Sequence, residues 1–318
     1  MEFVTLGRTK LEVSVAGLGC GGHSRLGMSY GNTEEKSIAV VSAAIDQGIN
    51  FIDTAAIYGT EEIVGKAIAD RRASVVISTK QPVVGRGGDP LSSNLISAAD
   101  FKLEFEKSLT RLKTDYVDIL HLHGVAPNQY SRCVEELVPA LYDLQRQGKV
   151  RFLGLTERFI VDPQHQMLMQ ALQDEYWDVV MAGFNMINPS ARNRVFRATQ
   201  EKNTGTLIMF AVRRALSNPE ELASLIAELV KTGEVDPGKV NVAAAFDFIL
   251  KNGDATSVVE AAYRFCRHEP GADVVLTGTG NVDHLTENIR SINDRSLTFD
   301  NQARLKDVFG MVDSVSGN

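Results

Sequence analysis

Residues 48–80, GINFIDTAAIYGTEEIVGKAIADRRASVVISTK, contain the pattern that decides the fold. The run GINFID is short and apolar with strand-forming residues, and VVIST at 75–79 is a second run of the same kind. Between them, residues 61–70 carry apolar side chains at helical spacing. Two strands joined by a helix form a parallel β-α-β unit. The segment therefore predicts a parallel sheet with helices packed against it.

The same alternation continues outward in both directions. A strand VSVAGLG ends at Gly19, and a helix over 34–48 ends at Gly48. Further strands are predicted at 117–122, 150–155, 178–183, 206–212 and 273–278. A helix at 100–113 follows the strand at 75–79, and further helices are predicted at 131–147, 163–173, 190–202, 257–268 and 281–293, with an insertion at 217–256. Eight strands alternating with helices are typical of the (β/α)₈ barrel.

We therefore expect an α/β chain that folds as a (β/α)₈ TIM barrel, with an N-terminal hairpin at 3–12 and an extra C-terminal helix. Residues 1–318 form a single domain in this interpretation, since no linker or low-complexity tract interrupts the pattern. The alternative is a doubly wound sheet. The glycine-rich run GLGCGG at 17–22 lacks the acidic residue that a dinucleotide fingerprint requires about 20 positions later, at the end of a second strand.

The composition of the chain argues against several classes of binding partner and site. The net charge is −7 and the pI is near 5.5, which argues against nucleic acid or an anionic membrane as a general partner. Cys20, Cys133 and Cys266 are far apart, so neither a disulfide framework nor a zinc site is supported. No signal peptide and no long apolar segment is visible. We expect a soluble, cytoplasmic protein without a metal site; no feature of the sequence indicates its oligomeric state.

Four polar residues follow the ends of consecutive predicted strands or lie in them. Asp53 ends FID, Tyr58 lies five residues later in the following loop, Lys80 follows VVIST, and His123 ends VDILHLH. Because active sites of barrel enzymes lie at the carboxyl ends of the strands, these side chains should meet at one rim. An ammonium beside a tyrosine stabilises the phenolate, and a carboxylate keeps that ammonium charged. The set predicts proton-transfer chemistry.

Each residue alone has an ordinary structural explanation. An aspartate after a strand is often a turn residue, and a lone lysine at a strand end is usually solvated. His121 shares a strand face with His123, and we interpret it as a structural or supporting residue. Only the combination of four favours catalysis.

With these residues in place, the chain resembles the aldo-keto reductase family. The resemblance runs from LGRTKLEVSVAGLGCGG to HLTENIRSI and includes FIDTAAIYGTEEIVGKAI, ISTK, LTRLKTDYVDILHLH, QGKVRFLGLTE and VVLTGTGNVDHLTEN. It implies a barrel that binds NADPH or NADH across its mouth, with Asp53, Tyr58, Lys80 and His123 as the catalytic tetrad. Tyr58 would be the general acid that protonates a carbonyl oxygen while the nicotinamide delivers hydride.

The resemblance also implies cofactor contacts. Gly19 and Cys20 lie near the nicotinamide at the end of the first strand. Thr156 and Glu157 stand where the family usually has the Ser-Asn pair that holds the carboxamide, and Met181 replaces a usual glutamine. Phe210 takes the place of the aromatic residue that stacks on the nicotinamide ring; plain core packing is its alternative. The segment after it, which would continue along the cofactor, consists of Ala211, Val212, Arg213 and Arg214.

Charged and small residues predict where an anion binds. The paired guanidiniums of Arg213 and Arg214 suit a pyrophosphate or an acidic substrate, although a solvated pair is the alternative. The run TGTGN leads into a helix whose free N–H groups attract phosphate; its residues include Gly278, Thr279, Gly280 and Asn281. By resemblance, His284, Glu287 and Asn288 contact the adenine end. Gly278 and Gly280 stand where many relatives have Arg or Lys, yet the family favours NADP, with NAD as the alternative.

Three functions compete at this point. The first is an NAD(P)-dependent reductase of aldehydes or ketones, or a dehydrogenase of the corresponding alcohols. The second is a Schiff-base aldolase that uses Lys80. The third is a redox-sensing or regulatory subunit that binds cofactor with weak turnover. The small-molecule substrate would be held by loops at 82–97, 124–130 and 217–240.

Overall fold

Eight parallel strands close into a barrel in the computed structural model, which describes residues 1–318. Each strand pairs with the next along the chain, and the last returns to the first. A two-stranded antiparallel hairpin precedes the barrel. The strands are β1 (Phe3–Thr5), β2 (Glu12–Ser14), β3 (Ala16–Gly19), β4 (Phe51–Asp53), β5 (Val76–Pro82), β6 (Val117–Val125), β7 (Val150–Glu157), β8 (Val179–Gly183), β9 (Gly205–Met209) and β10 (Val274–Thr277). The predicted (β/α)₈ barrel and its N-terminal hairpin are confirmed.

Helices surround this barrel, and the expected extra helix is the last of them. The helices are α1 (Glu34–Asp46), α2 (Glu61–Ala67), α3 (Ala98–Leu112), α4 (Tyr130–Glu136), α5 (Val138–Arg146), α6 (Gln166–Ala171), α7 (Arg197–Lys202), α8 (Arg214–Ser217), α9 (Pro219–Lys231), α10 (Asp247–Lys251), α11 (Val258–Arg267), α12 (Val282–Asn293) and α13 (Phe299–Phe309). None of them has the length and apolar character needed to cross a bilayer.

Several boundaries differ from those predicted. The first predicted strand divides at Val15 into a hairpin strand and a barrel strand. The helix predicted at 131–147 is two helices that meet at Leu137, because Pro139 at the start of α5 has no N–H to continue the earlier hydrogen-bond ladder. The strand predicted at 206–212 ends at Met209, since Phe210 has a left-handed φ of 66°. The insertion is largely helical, with α8, α9 and α10 in or beside it.

The hairpin closes one end of the barrel. Leu6, Leu11 and Val13 pack into a buried cluster with inward-facing side chains of the barrel strands. Those strand residues are Phe51, Val76, Ile119, Val179, Met181, Leu207 and Val274. The amino ends of the strands are therefore covered by apolar side chains, and the carboxyl ends are left to form a site.

Candidate active site

A buried carboxylate and a buried ammonium meet at the ends of two adjacent strands. Asp53 is the last residue of β4, and Lys80 lies in the neighbouring β5. The Nζ of Lys80 donates to Asp53 Oδ2 over 2.6 Å and to the carbonyl oxygen of Thr54 over 2.7 Å. Only 1% of the Lys80 side chain and 5% of the Asp53 side chain are exposed. Because removal of one buried charge leaves the other uncompensated, each holds its partner in place.

Asp53 has a second donor behind it. Ser78 Oγ donates to Asp53 Oδ1 over 2.9 Å, and His121 Nε2 lies 3.0 Å from the same hydroxyl. Burial raises the pKa of Asp53, while Lys80 and Ser78 oppose that rise. Burial and the charge of Lys80 hold the pKa of His121 well below its usual range, so its imidazole is neutral. His121 thus has a supporting position, donating to Ser78 and through it stabilising the carboxylate.

Tyr58 lies against the ammonium of this pair. The Nζ of Lys80 is 5.2 Å from the centroid of the Tyr58 ring. Burial disfavours the charged form of Lys80, but Asp53 and Tyr58 together outweigh burial and raise the pKa of Lys80. Burial likewise raises the pKa of Tyr58, against the influence of Lys80. Near neutral pH, therefore, the phenol is protonated beside a cation that favours the phenolate formed when the proton leaves.

His123 is placed by a β-bulge between β6 and β7. The register of this pair shifts between Leu122 and Val125, and Gly124 adopts a φ of 61°. The Gly124 N–H donates to Thr156 Oγ1 over 2.7 Å, which fixes the bulge. Bulges of this kind redirect side chains beside active sites. The result is that His123 Nε2 lies 3.4 Å from the Tyr58 hydroxyl oxygen, with the two rings edge to face.

The imidazole of His123 is neutral. Burial, with smaller effects from Lys80 and Arg158, lowers the pKa of His123 to about 3. Its Nδ1 is buried and has no hydrogen-bond partner. Since no acceptor meets an N–H at Nδ1, the tautomer protonated at Nε2 is the favoured one. The Nε2–H of His123 is therefore a neutral hydrogen-bond donor beside the Tyr58 hydroxyl.

The end of β7 carries a second buried network. Glu157 accepts hydrogen bonds from the Gly183 N–H over 2.7 Å and from His165 Nδ1 over 2.9 Å. His165 Nε2 lies 3.1 Å from Ser190 Oγ. Burial raises the pKa of Glu157, and His165 opposes the rise. Glu157 therefore points into the protein, whereas the Thr156 hydroxyl, which accepts from the Gly124 N–H, keeps its own proton free to donate.

The loop after β9 presents an aromatic ring and a guanidinium at the mouth. Phe210 is half-buried in a left-handed conformation, which is rare for a bulky residue and is often found at functional sites. The Arg213 guanidinium lies 4.2 Å from the centroid of that ring and has no carboxylate partner, whereas Arg214 pairs with Glu221. Arg213 Nε also donates to Asn318 Oδ1 over 3.1 Å. Of the two arginines, Arg213 is the one free to bind an anion.

The two residues between Phe210 and Arg213 are apolar. Ala211 is buried and Val212 is half-buried, so at these positions only the backbone offers hydrogen-bonding groups. On the other side of β10, which pairs with both β9 and β3, Gly19 ends β3 and Cys20 follows it, fully buried. Burial raises the pKa of the Cys20 thiol far above its usual range, so it packs as a small apolar group.

Some backbone N–H groups of the loop between β10 and α12 are hydrogen-bonded to side chains of the same loop. Asn281 Oδ1 accepts from the N–H groups of Asp283 and His284, and Thr279 Oγ1 accepts from the N–H of Asn281. These three amides are therefore already bonded. The carbonyl oxygen of Gly280 accepts from Asn32 Nδ2 over 2.8 Å, and anion binding by this loop stays a prediction.

The side chains expected at the adenine end differ in what they can contact. His284 and Glu287 are exposed, whereas Asn288 is half-buried and donates to Thr277 Oγ1 over 2.9 Å. A Cβ at Gly280 would lie 2.2 Å from Gly27 Cα, so this glycine allows the loop after β3 to pack closely. Cofactor contacts at these residues stay predictions.

Three residues near the tetrad were not identified as part of the site from the sequence. A Cβ on Gly21 would lie 2.4 Å from Cε2 of Tyr58, and one on Gly154 would lie 2.2 Å from Nδ1 of His121. Ser78, the donor to Asp53, is the third. The glycine-rich run at 17–22 was a visible signal for Gly21, but nothing in the sequence marks the close approach at Gly154.

Comparison with known proteins shows the family of the chain. The sequence profile described as "Aldo/keto reductase family" matches residues 18–308. An uncharacterized oxidoreductase, YqkF of Bacillus subtilis, is 27% identical over 92% of each chain. Aldo-keto reductase YhdN of the same organism is 28% identical over 90% of this chain and 88% of its own. L-galactose dehydrogenase of Arabidopsis thaliana is 37% identical, over 49% of this chain and 48% of its own.

Solved structures support the same fold. The holo form of aldo-keto reductase AKR11C1 from Bacillus halodurans superimposes with a TM-score of 0.72, covering 96% of both chains at 24% identity. The profile match spans most of the chain and the barrel is the one expected. The chain therefore belongs to the aldo/keto reductase family of oxidoreductases.

Proposed function

We propose that this protein transfers a hydride between a nicotinamide cofactor and an aldehyde or ketone, or the corresponding alcohol, with Tyr58 as general acid and base. The observation that carries the proposal is the buried Lys80–Asp53 pair beside a protonated Tyr58 and a neutral His123. A phenol next to an ammonium that cannot easily lose its charge is suited to donating a proton. Lys80 is held by Asp53 and by a carbonyl, which leaves it poorly available as an aldolase nucleophile.

In reduction, the carbonyl oxygen would accept hydrogen bonds from Tyr58 and from His123 Nε2–H. Tyr58 then passes its proton to that oxygen, and the ammonium of Lys80 stabilises the phenolate. Asp53 keeps Lys80 charged, and Ser78 supports Asp53. In oxidation of an alcohol, the same phenolate accepts the proton. The nicotinamide, when bound, supplies or accepts the hydride.

The mouth has groups that fit a dinucleotide. Phe210 offers a ring face, and Arg213 is a half-buried cation without a carboxylate partner. Thr156 would contact the carboxamide, while Glu157 would not, because His165 and an amide already occupy its oxygens. We propose NADP as the cofactor, with NAD as the alternative. The three unpaired cysteines are in keeping with a cytoplasmic location. We propose that the substrates are small molecules.

Calorimetric titration with NADPH and NADH, followed by absorbance assays with a panel of aldehydes and ketones, tests the proposal. We expect one reduced nucleotide to bind and to be oxidised when a carbonyl is added. Tight binding without turnover of any carbonyl or alcohol would favour the regulatory-subunit alternative. Failure to bind either nucleotide would overturn the proposal.

A further inference from the structure

Arg158 lies beside the tetrad, and nothing in the sequence pattern marks it. It directly follows β7, and its Nε donates to the carbonyl oxygen of Gly124 over 3.2 Å. A Cβ built on Gly124 would lie 3.5 Å from its terminal nitrogen, so the guanidinium covers the bulge that carries His123. The side chain is half-buried. Its charge reaches the reaction centre, since Arg158 contributes to the low pKa of His123.

This guanidinium has no anion of its own. The other arginines that are not exposed form salt bridges, as Arg264 does with Asp254 and Glu260, or Arg192 with Glu269; Arg213 is the one further exception. For Arg158, no carboxylate lies within salt-bridge distance. The carboxylate whose charge it feels is that of Asp89, on the exposed loop after β5. Asp89 Oδ1 instead accepts the N–H of Leu91 over 3.0 Å.

The two unpaired guanidiniums lie on different elements around the mouth. Arg213 belongs to the loop after β9 and approaches Gly22, in the loop after β3, where the cofactor is expected. Arg158 lies over the junction of β6 and β7, next to His123. Because charges withdrawn from water are usually paired, a half-buried guanidinium without an internal carboxylate suits an external anion. One site fits the cofactor, and the other is left for the substrate.

We propose that Arg158 binds a carboxylate of the substrate, so that the preferred substrates are oxo acids: aldehydes or ketones that carry a carboxylate away from the reacting carbonyl. This inference rests on the proposed reductase function. The planar fork of arginine matches a carboxylate through paired hydrogen bonds. A carboxylate is favoured over a phosphate dianion because a single guanidinium, with no lysine beside it, supplies one unit of positive charge.

The reaction leaves the carboxylate unchanged. Hydride from the reduced nicotinamide forms the new C–H bond at the carbonyl carbon, and the C=O π electron pair takes the proton of Tyr58. The products are a hydroxy acid and the oxidised nucleotide, and Tyr58 regains a proton from solvent. Because Arg158 contacts a group remote from the reacting carbon, it should act mainly on KM.

A matched pair of aldehydes tests the inference. 4-Formylbenzoate and its methyl ester differ by one charge at the far end of the ring, and both are reduced at the same carbonyl. For the wild-type protein we expect kcat/KM to be at least about 10-fold higher for the carboxylate, the factor that one charge-assisted hydrogen bond supplies. Arg158→Gln should abolish this preference, chiefly by raising KM, and Arg158→Lys should restore part of it.

The matched control is Arg197→Gln. This arginine is 84% exposed on the outer surface and pairs with Glu201, so its loss removes the same charge without touching the mouth. We expect the control to keep the wild-type preference. Equal kcat/KM for the two aldehydes, or a preference that survives Arg158→Gln, would overturn the inference while the reductase function stands. If neither these nor any neutral carbonyl is reduced, the proposed function fails and this inference falls with it.

Discussion

Replacing Lys80 by methionine should leave the buried carboxylate of Asp53 without its positively charged partner. Methionine has a similar length and no charge, so packing is largely kept while Asp53 loses the donor 2.6 Å away. With the Asp53 side chain 5% exposed, water cannot replace that donor. Breaking a buried pair by removing one partner typically costs about 3–5 kcal/mol in the free energy of unfolding. We expect the variant to lie in this range at pH 8.

The dependence on pH follows from the proton that Asp53 would take up. Without Lys80, burial raises its pKa in the folded state above the unfolded value of about 3.9. The folded variant then binds more protons than the unfolded chain, so its stability falls as pH rises, by about 1.4 kcal/mol per pH unit until the folded pKa is passed. Below pH 4 this penalty is absent.

The double variant Asp53→Asn/Lys80→Met is the matched control, because it removes the carboxylate as well as the ammonium. Urea unfolding of the single and double variants between pH 4 and pH 8 measures the difference. We expect nearly equal stability at pH 4, with the single variant falling progressively below the double as pH rises. Equal stability at every pH would refute the reasoning that Asp53 depends on Lys80 for its charge.

Three further predictions concern the neighbours of the tetrad. Gly21→Ala should displace the Tyr58 ring, because the new Cβ would lie 2.4 Å from it; we expect kcat to fall by about 10²-fold in the absorbance assay, as misplacement by an ångström typically does. Gly154→Ala should push the His121 ring away and lower the free energy of unfolding by about 1–3 kcal/mol, measured in urea. His123 has a pKa of about 3 in the folded protein against an ordinary 6.5, so its imidazole should show no titration by NMR between pH 8 and pH 5. Below pH 6.5 the unfolded chain binds a proton at His123 that the folded protein does not. The free energy of unfolding should therefore decline as pH falls below 6.5.

Each of these has a control or a contrary result. Gly85→Ala adds a methyl group where no atom lies within 4 Å, so it should leave the free energy of unfolding unchanged and serves as the control for Gly154→Ala. Wild-type kcat in Gly21→Ala would show that Tyr58 is not constrained by that contact. Unchanged stability in Gly154→Ala would mean that the His121 ring can move freely. An imidazole titration of His123 near pH 6.5 would contradict its burial as a neutral donor.

The barrel, and the meeting of Asp53, Tyr58, Lys80 and His123 at one rim of it, were predictable from sequence because both follow from local patterns. Asp53, Lys80 and His123 follow or end short apolar runs, and parallel strands deliver their carboxyl ends to one rim. Tyr58 lies a few residues beyond one of these ends. The periodicity that predicts the strands thus predicts the site as well.

What the sequence did not reveal depends on contacts between distant segments. The bulge at Gly124 is defined by its pairing with Thr156, and the inward turn of Glu157 by His165. The left-handed Phe210 shortened a strand that its composition would extend, because tertiary packing outweighs strand propensity there. Arg158 looks like any surface arginine until its lack of a carboxylate partner becomes visible.

The proposed reduction depends most directly on the proton of Tyr58. Tyr58→Phe removes one hydroxyl and keeps the ring, so the fold and the cofactor site should persist. We expect kcat/KM for carbonyl reduction to fall by about 10²–10⁴-fold, the range for a general acid, while the NADPH dissociation constant measured by calorimetry stays within about 3-fold of wild type. A Tyr58→Phe variant that reduces carbonyls at the wild-type rate would contradict the account.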